Sequence, residues 1–329
     1  MRKYKRLGVL LVFLLLLNLT NKNDLIPEVL KFRKPAINYL TGLPGSNGPL
    51  LAVKIDDTKE AHPQIGIDNA DVVYVEQVES GLTRLLALYS SNYPDEIGPV
   101  RSARIGDIDL LAQYGRLAFA YSGSQTKMRP VLSAANLNNL SAERNPPSIF
   151  SRDETRTAPV NMILHPNLLI EHATNKLKME LITLQQSPWK FGDLSKSAIG
   201  LTSAKVKFPN ARYEVNWDSF NKCWNLVQNG NTEVTSIGKN VCIDNVIIQI
   251  VELQPSIYGD KFGGITPFSK TVGSGAAFLL RDGKYLNIGW QRNDPAKFTN
   301  WLDKDGQEVK IKAGKTWIFL TSTAPTLQP

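Results

Sequence analysis

The sequence predicts an α+β (or α/β) N-terminal domain followed by a mostly β C-terminal domain. Three observations carry this reading. Two strand-like runs meet at Glu79-Ser80-Gly81-Leu82 and are followed by helical periodicity from Ala103 to Tyr114. A connection bearing Pro188, Gly192 and Gly200 then interrupts the pattern. From Thr202 onward, short alternating strands dominate and helical signals are few.

Taken in order, Leu51–Ile55, Asp71–Val78 and Thr83–Ser90 have strand character, the last two joined as a tight hairpin. The helix over Ala103–Tyr114 leads through Gly115 into an apolar strand, Leu117–Tyr121. Helical segments follow over Gln125–Ala135 and Pro166–Lys178, with a strand at Val160–Leu164 after the charged loop Arg152–Arg156. The second half reads as strands at Arg212–Trp217, Cys223–Val227, Asn245–Leu253, Ala276–Leu280 and Tyr285–Trp290. Arg281-Asp282-Gly283-Lys284 is a hairpin turn, because Asp-Gly accepts the positive φ angles of type I′. The expected organisation is a signal peptide or signal anchor over 1–24, a flexible spacer over 25–48, an α/β domain over 49–186, a linker over 187–201 and a mostly β domain over 202–325.

Arg2, Lys3, Lys5 and Arg6 precede the apolar run Leu7–Leu17, extended by Leu19, which is the layout of a secretory n-region and h-region. The run is shorter than the roughly 20 residues of a comfortable membrane span. No Ala-x-Ala site follows it, and no cysteine near residue 20 could take a lipid. The expectation is an extracytoplasmic protein, anchored to the cell membrane through this segment or secreted. The formal charge of +8 falls to +4 once residues 1–24, with five Lys/Arg and one Asp, are set aside. So modest a charge, without an RNP, zinc-finger or basic-helix pattern, argues against nucleic acid and for an anionic cell-wall component or an envelope protein as partner.

Cys223 and Cys242 are the only cysteines. In an exported chain they either pair, closing a loop of about 20 residues worth about 3 kcal/mol, or stay as two buried thiols. Neither has a Cys or His at ligand spacing, and His62, His165 and His172 are scattered, so neither a metal nor a cofactor is expected. Gly273-Ser274-Gly275 lacks the Lys-Ser/Thr of a phosphate loop and reads as a bend.

The stretch Ile97–Asp107 is the most informative. It brings Arg101 and Arg104 to the start of a helix for which Ser102 is a good N-cap, so guanidiniums and free N–H groups converge on a candidate anion site. Ile105, Ile108, Leu111 and Ala112 form an apolar helix face with Arg104 at its edge. Arg104 could instead be consumed by Asp107, one turn on. A hairpin centred on Ser80-Gly81 puts Arg84 opposite Gln77 and diagonal to Glu79. If the hairpin lies beside the helix, Glu76, Glu79, Arg84, Arg101 and Arg104 form one network. Tyr121-Ser122-Gly123-Ser124 follows a strand, where Ser122 either faces a pocket or serves turn chemistry alone. The candidate ligand-binding set is therefore Arg84, Arg101, Ser102, Arg104, Asp107, Glu76, Glu79 and Ser122, and no catalytic residue is assigned. The leading function is a non-catalytic module that binds an anionic envelope ligand or partner protein. The alternatives are a hydrolase or transferase acting on an envelope phosphate or glycan, with Glu76, Asp107 or Asp56 as acid or base, and a purely structural scaffold.

The segments Leu51–Asp57, Asn69–Glu76, Glu79–Arg84 and Gly98–Arg104 resemble the YerB-type lipoproteins, a bacterial family of uncharacterised function. Gly273–Phe278, Arg281–Lys284, Gly289–Arg292 and Ala313–Trp317 extend the resemblance through the second half. It implies a two-domain protein tethered at the outer face of a bacterial membrane, with no established ligand. This chain departs from that pattern in lacking a lipidation cysteine.

Overall fold

The computed structural model describes residues 35–260 and 263–329. The apolar run Leu7–Leu17 and the beginning of the expected spacer lie outside the described residues. Among those described, no helix is long and apolar enough to cross a membrane.

The first half supplies β1 (Leu51–Asp56), β2 (Val72–Gln77), β3 (Thr83–Tyr89), helix α1 (Ile105–Ala112), β4 (Ala118–Ala120), α2 (Arg129–Ala134), the two-residue β5 (Asn138–Asn139) and α3 (Pro166–Glu171). The second half supplies β6 (Ser203–Lys207), β7 (Arg212–Asp218), β8 (Cys223–Gln228), β9 (Asn245–Ile250), β10 (Glu252–Gly259), β11 (Ile265–Lys270), β12 (Gly273–Arg281), β13 (Lys284–Arg292), β14 (Asn300–Leu302), β15 (Thr316–Thr321) and β16 (Thr326–Gln328). The fold class read from the sequence is the one observed.

The two halves nevertheless share one sheet, ordered β14-β13-β12-β9-β15-β2-β3-β1-β4-β5. Strand β15 lies between β2 and β9, parallel to both, with Trp317 level with Val73 and Val246. Every residue of β1, β3 and β15 is buried, as expected of strands covered on both faces. On one face Val53, Val75, Leu85 and Phe319 pack with the second, antiparallel sheet through Val206, Tyr213, Val215 and Trp224. On the other, Ala52, Tyr74, Leu86 and Ile318 pack with Leu110 and Leu111 of α1, with Tyr114 just beyond it, and with Trp189, Trp290 and Trp301. The second sheet runs β8-β7-β6-β16, and a disulfide joins Cys223 of β8 to Cys242 with Cα atoms 5.5 Å apart. Asp282 and Gly283 both have positive φ, 53° and 67°, as the β12–β13 turn requires.

Some expectations need correction. The spacer does not extend to residue 48. Leu40 is fully buried, and Asn38 donates to the Ser90 hydroxyl (2.9 Å), so the chain is docked from Ile37 onward. The connection over 187–201 is likewise docked, because Trp189 is buried and its indole N–H donates to the Leu40 carbonyl (3.0 Å). The strand expected over Asn245–Leu253 breaks at Val251, after which β10 leaves the sheet and pairs with β11 as a separate ribbon. Helix α1 begins at Ile105, and its N-cap is Arg104 rather than Ser102.

Docking of the leading segment is testable. Leu40→Ala is expected to cost about 2–5 kcal/mol in urea unfolding, as for a core leucine. An exposed spacer residue would change stability by about 0.5 kcal/mol or less.

Candidate functional site

The helix-side face of the central sheet turns polar at one end. Glu76, Arg84 and Asp56 form one cross-strand row over β2, β3 and β1, and Tyr74, Leu86 and Lys54 form the row behind it. Lys54 is fully buried, with its ammonium 2.9 Å from Glu76 Oε1 and 2.6 Å from Asp107 Oδ1. Burial alone would lower the Lys54 pKa, but the charges of Asp107 and Glu76 outweigh it and the net direction is upward. Glu76 is pushed up to about 7, chiefly by burial, with Lys54 opposing the shift and Asp107 adding to it.

Asp107 also sets the start of α1. Its Oδ2 accepts the Arg104 backbone N–H (2.6 Å), while its other oxygen takes Lys54. Gly106 lets the helix approach the sheet, since a Cβ there would lie 3.2 Å from Glu76 Oε2. The buried face of α1 therefore runs through Gly106, Asp107, Leu110 and Leu111, while Ile105 and Ile108 are only half-buried. No Arg104–Asp107 ion pair forms. Arg104 instead reaches Glu79 through Nε (2.7 Å to Oε1) and Nη2 (2.8 Å to Oε2). Burial acts to raise the Glu79 carboxyl, but hydrogen bonding and the charge of Arg104 outweigh it and hold it below the usual range. Glu79 also accepts a short hydrogen bond from Thr266 of β11.

Arg84 and Arg101 converge on a single carboxylate. Arg84 Nη1 lies 3.2 Å from Asp56 Oδ1, and Arg101 Nε lies 2.6 Å from Asp56 Oδ2. The second contact is close, but the Arg101 Nε–H is not directed as a hydrogen bond requires, and the Nε of Arg84 is also without a hydrogen-bond acceptor. We therefore describe the Arg101–Asp56 contact as one between charges. Arg101 keeps 22% of its side chain exposed, against 5% for Arg84. The expected Arg84–Glu79 pair is absent because the turn carries one residue more than a two-residue turn. Val78 N–H bonds to the Leu82 carbonyl, and Arg84 stands opposite Glu76 instead of Gln77.

These arginines border a cavity of about 820 Å³ between the hairpin turn, the loop before α1, and the β10–β11 ribbon. Of the sequence-derived set, Arg84, Arg101, Ser102, Arg104 and Glu79 line it, with Leu82, Met128, Tyr258 and Asp260 among the remaining walls. Glu76 and Asp107 do not; they lie behind the wall with Lys54. Ser122 also sits behind, its hydroxyl 3.3 Å from that of Ser102 and its N–H donating to the Arg101 carbonyl (2.9 Å). Sequence reasoning missed Lys54 and the pairing role of Asp56. The signal was there in Lys54, a lone charge within the apolar run Leu51–Ile55. A second depression of about 730 Å³ on β6 and β7 carries Lys205, Lys207 and Arg212, but these are strand-surface groups, and Lys205 faces Glu214 at 3.6 Å. Among the described residues no group of His, Cys, Asp or Glu is arranged to hold a metal ion.

Asp57, one residue beyond Asp56, points to the opposite face, into the seam between the sheets. It accepts from the Thr83 hydroxyl (2.6 Å) and from Tyr213, and lies 3.3 Å from His62 Nε2, which is 3.6 Å from Glu233. Burial, with the hydroxyl hydrogen bonds opposing, pushes Asp57 up to about 6. Burial and the Asp57 charge push Glu233 up to about 8. Burial lowers His62, so the imidazole is neutral at pH 7.

Two expected outcomes follow from these buried groups. Lys54→Met, which strands two carboxylates, is expected to lose about 3–5 kcal/mol in denaturant titrations. Glu233 retains in the folded state a proton that the unfolded chain releases near the ordinary carboxylate pKa. Its contribution to stability therefore falls as pH rises from about 5 to about 8. Melting curves of Glu233→Gln against the parent should diverge in the variant's favour across that window and run parallel above it.

Comparison with known proteins agrees with this architecture. Residues 40–180 match the family model described as "Protein of unknown function (DUF3048) N-terminal domain", and residues 204–318 match the corresponding C-terminal domain. The chain is 25% identical over 315 residues to the protein named "Putative lipoprotein YerB" of Bacillus subtilis (strain 168), covering 93% of this chain and 91% of that protein. A crystal structure of YerB from Bacillus subtilis has the same fold, with a TM-score of 0.77 at 22% identity, covering 90% of this chain and all of the other. In this chain the two matched segments are woven into one sheet, and the chain belongs to the DUF3048 family, to which it is matched over both its N- and C-terminal domains.

Proposed function

We propose that this chain is an extracytoplasmic, membrane-associated binding module that captures an anionic envelope ligand in the arginine cavity without transforming it. The observation that carries the reading is the sharing of one carboxylate, Asp56, by Arg84 and Arg101. Arg84 and Arg101 share Asp56, Arg104 is taken by Glu79, and Arg101 stays partly exposed to the cavity, whose lining also includes Asp260. A guanidinium that shares its counter-charge with a second one and keeps part of its side chain open to a cavity is a ready donor for a phosphate or carboxylate. The lipoprotein name of the Bacillus subtilis relative and the basic-apolar N terminus support the location. Catalysis has less support, because the carboxylates poised for proton transfer by their burial, Glu76 foremost, lie behind the cavity wall rather than on it.

Calorimetric titration of the full chain in detergent with pyrophosphate tests this. Binding that weakens with salt is expected. Arg101→Ala should lower affinity by about tenfold or more while shifting the melting temperature by no more than about 2 °C. Unaltered affinity in that variant would refute the reading.

A further inference from the structure

Two depressions meet at Arg101. The 820 Å³ cavity shares Thr58, Arg101 and Pro159 with a neighbouring one of about 560 Å³, so the two adjoin along one groove. Their chemistry differs. In the second, the guanidinium of Arg156 is already committed, donating from Nη1 to the Ala61 carbonyl (2.8 Å) and from Nη2 to the Pro63 carbonyl (2.7 Å), with Nε 3.2 Å from Asp153. Asp56 and Glu60 lie on the same lining, and hydroxyls come from Thr58, Thr155 and Thr157. That lining sets Arg101 and Arg156 against Asp56 and Glu60, equal in number, and the Thr155 hydroxyl already donates to Asp153 (2.6 Å), so it suits a neutral group with hydroxyls of its own rather than a second anion. The arginine cavity alone is already near the upper end of the volumes that hold a single small molecule, about 300–1,000 Å³.

We propose that the groove takes an anionic glycan of more than one sugar unit, its charged group against Arg84, Arg101 and Arg104 and its neutral sugar running past Arg101 into the threonine-lined depression. This rests on the anion-binding reading above and adds the length and chemistry of the ligand. The charged group is a carboxylate or a phosphate, which the guanidiniums accept alike.

Titration of the full chain in detergent with galacturonic acid, hexagalacturonate, glucose 1-phosphate, maltose 1-phosphate, maltohexaose and pyrophosphate tests it, with vesicles containing phosphatidylglycerol added as a pelleting arm. In at least one charge series the longer sugar should bind tenfold or more tighter than its monomer. The series that shows this identifies the charged group, and maltohexaose should not bind. Thr157→Val, which lies on the second depression alone, should reduce the length advantage while leaving pyrophosphate affinity within twofold. Equal affinity for monomer and oligomer would overturn the proposal yet leave anion binding intact. Failure of every anion, pyrophosphate included, would overturn the underlying reading. Arginine-dependent capture of vesicles without glycan binding would assign the groove to a lipid headgroup and overturn the proposal as well.

Discussion

The buried ammonium of Lys54 is the constraint on which the arginine wall depends. A charge with no access to water persists only when it is compensated, and here Glu76 and Asp107 do so from a strand and from a helix. Because Asp107 is also the acceptor for the Arg104 N–H, the same carboxylate fixes the first turn of α1 against the sheet. The loop from Arg101 to Arg104 is held between that turn and the end of β1, where Arg101 N–H bonds to the Lys54 carbonyl (2.8 Å). Lys54 thus controls the cavity from behind, through both its side chain and its backbone.

The layered arrangement separates two electrostatic tasks. In the interior Glu76 and Asp107 compensate Lys54, with Glu76 pushed up to about 7 by its burial. Closer to the cavity, Arg104 is matched by Glu79, which the ribbon also holds through Thr266, whereas Arg84 and Arg101 share the single carboxylate of Asp56. The adjacent aspartates show how strand alternation distributes such roles: Asp56 serves the arginines on one face of β1, and Asp57 knits the seam to the second sheet on the other.

Much of this was legible in the sequence, and the failures have physical causes. The strands Leu51–Asp56, Val72–Gln77 and Thr83–Tyr89 are marked by apolar runs, with Val and Ile in the first, Val in the second and Leu in the third, and Arg84, Arg101 and Arg104 stand out by their placement near a turn and a helix start. Pairing was not legible. One additional residue in the Val78–Leu82 turn slides Arg84 from Gln77 to Glu76, and the neighbour that supplies its counter-charge, Asp56, lies 28 residues away on β1. Lys54 was overlooked because alternation reads a lone charge as facing solvent, whereas tertiary packing covers both faces of this sheet. The leading segment was read as a spacer because its Pro, Gly and Asn content suits a linker. Those same polar side chains are what dock it, Asn38 to Ser90 and Asn47 to the Ile37 carbonyl.

The placement of β15 between β2 and β9 also governs how the molecule is made. Residues 316–321 are made long after residue 72, yet they complete the hydrogen bonding of the strand that begins there. Until they arrive, Val72–Gln77 is an apolar sheet edge with unpaired N–H and C=O groups, the kind of edge that recruits other chains. Long-range parallel pairing of this sort closes slowly. The N-terminal half must therefore be kept from associating until β15 has been made, which makes handling of the nascent polypeptide as much a demand of this topology as the stability of the finished sheet.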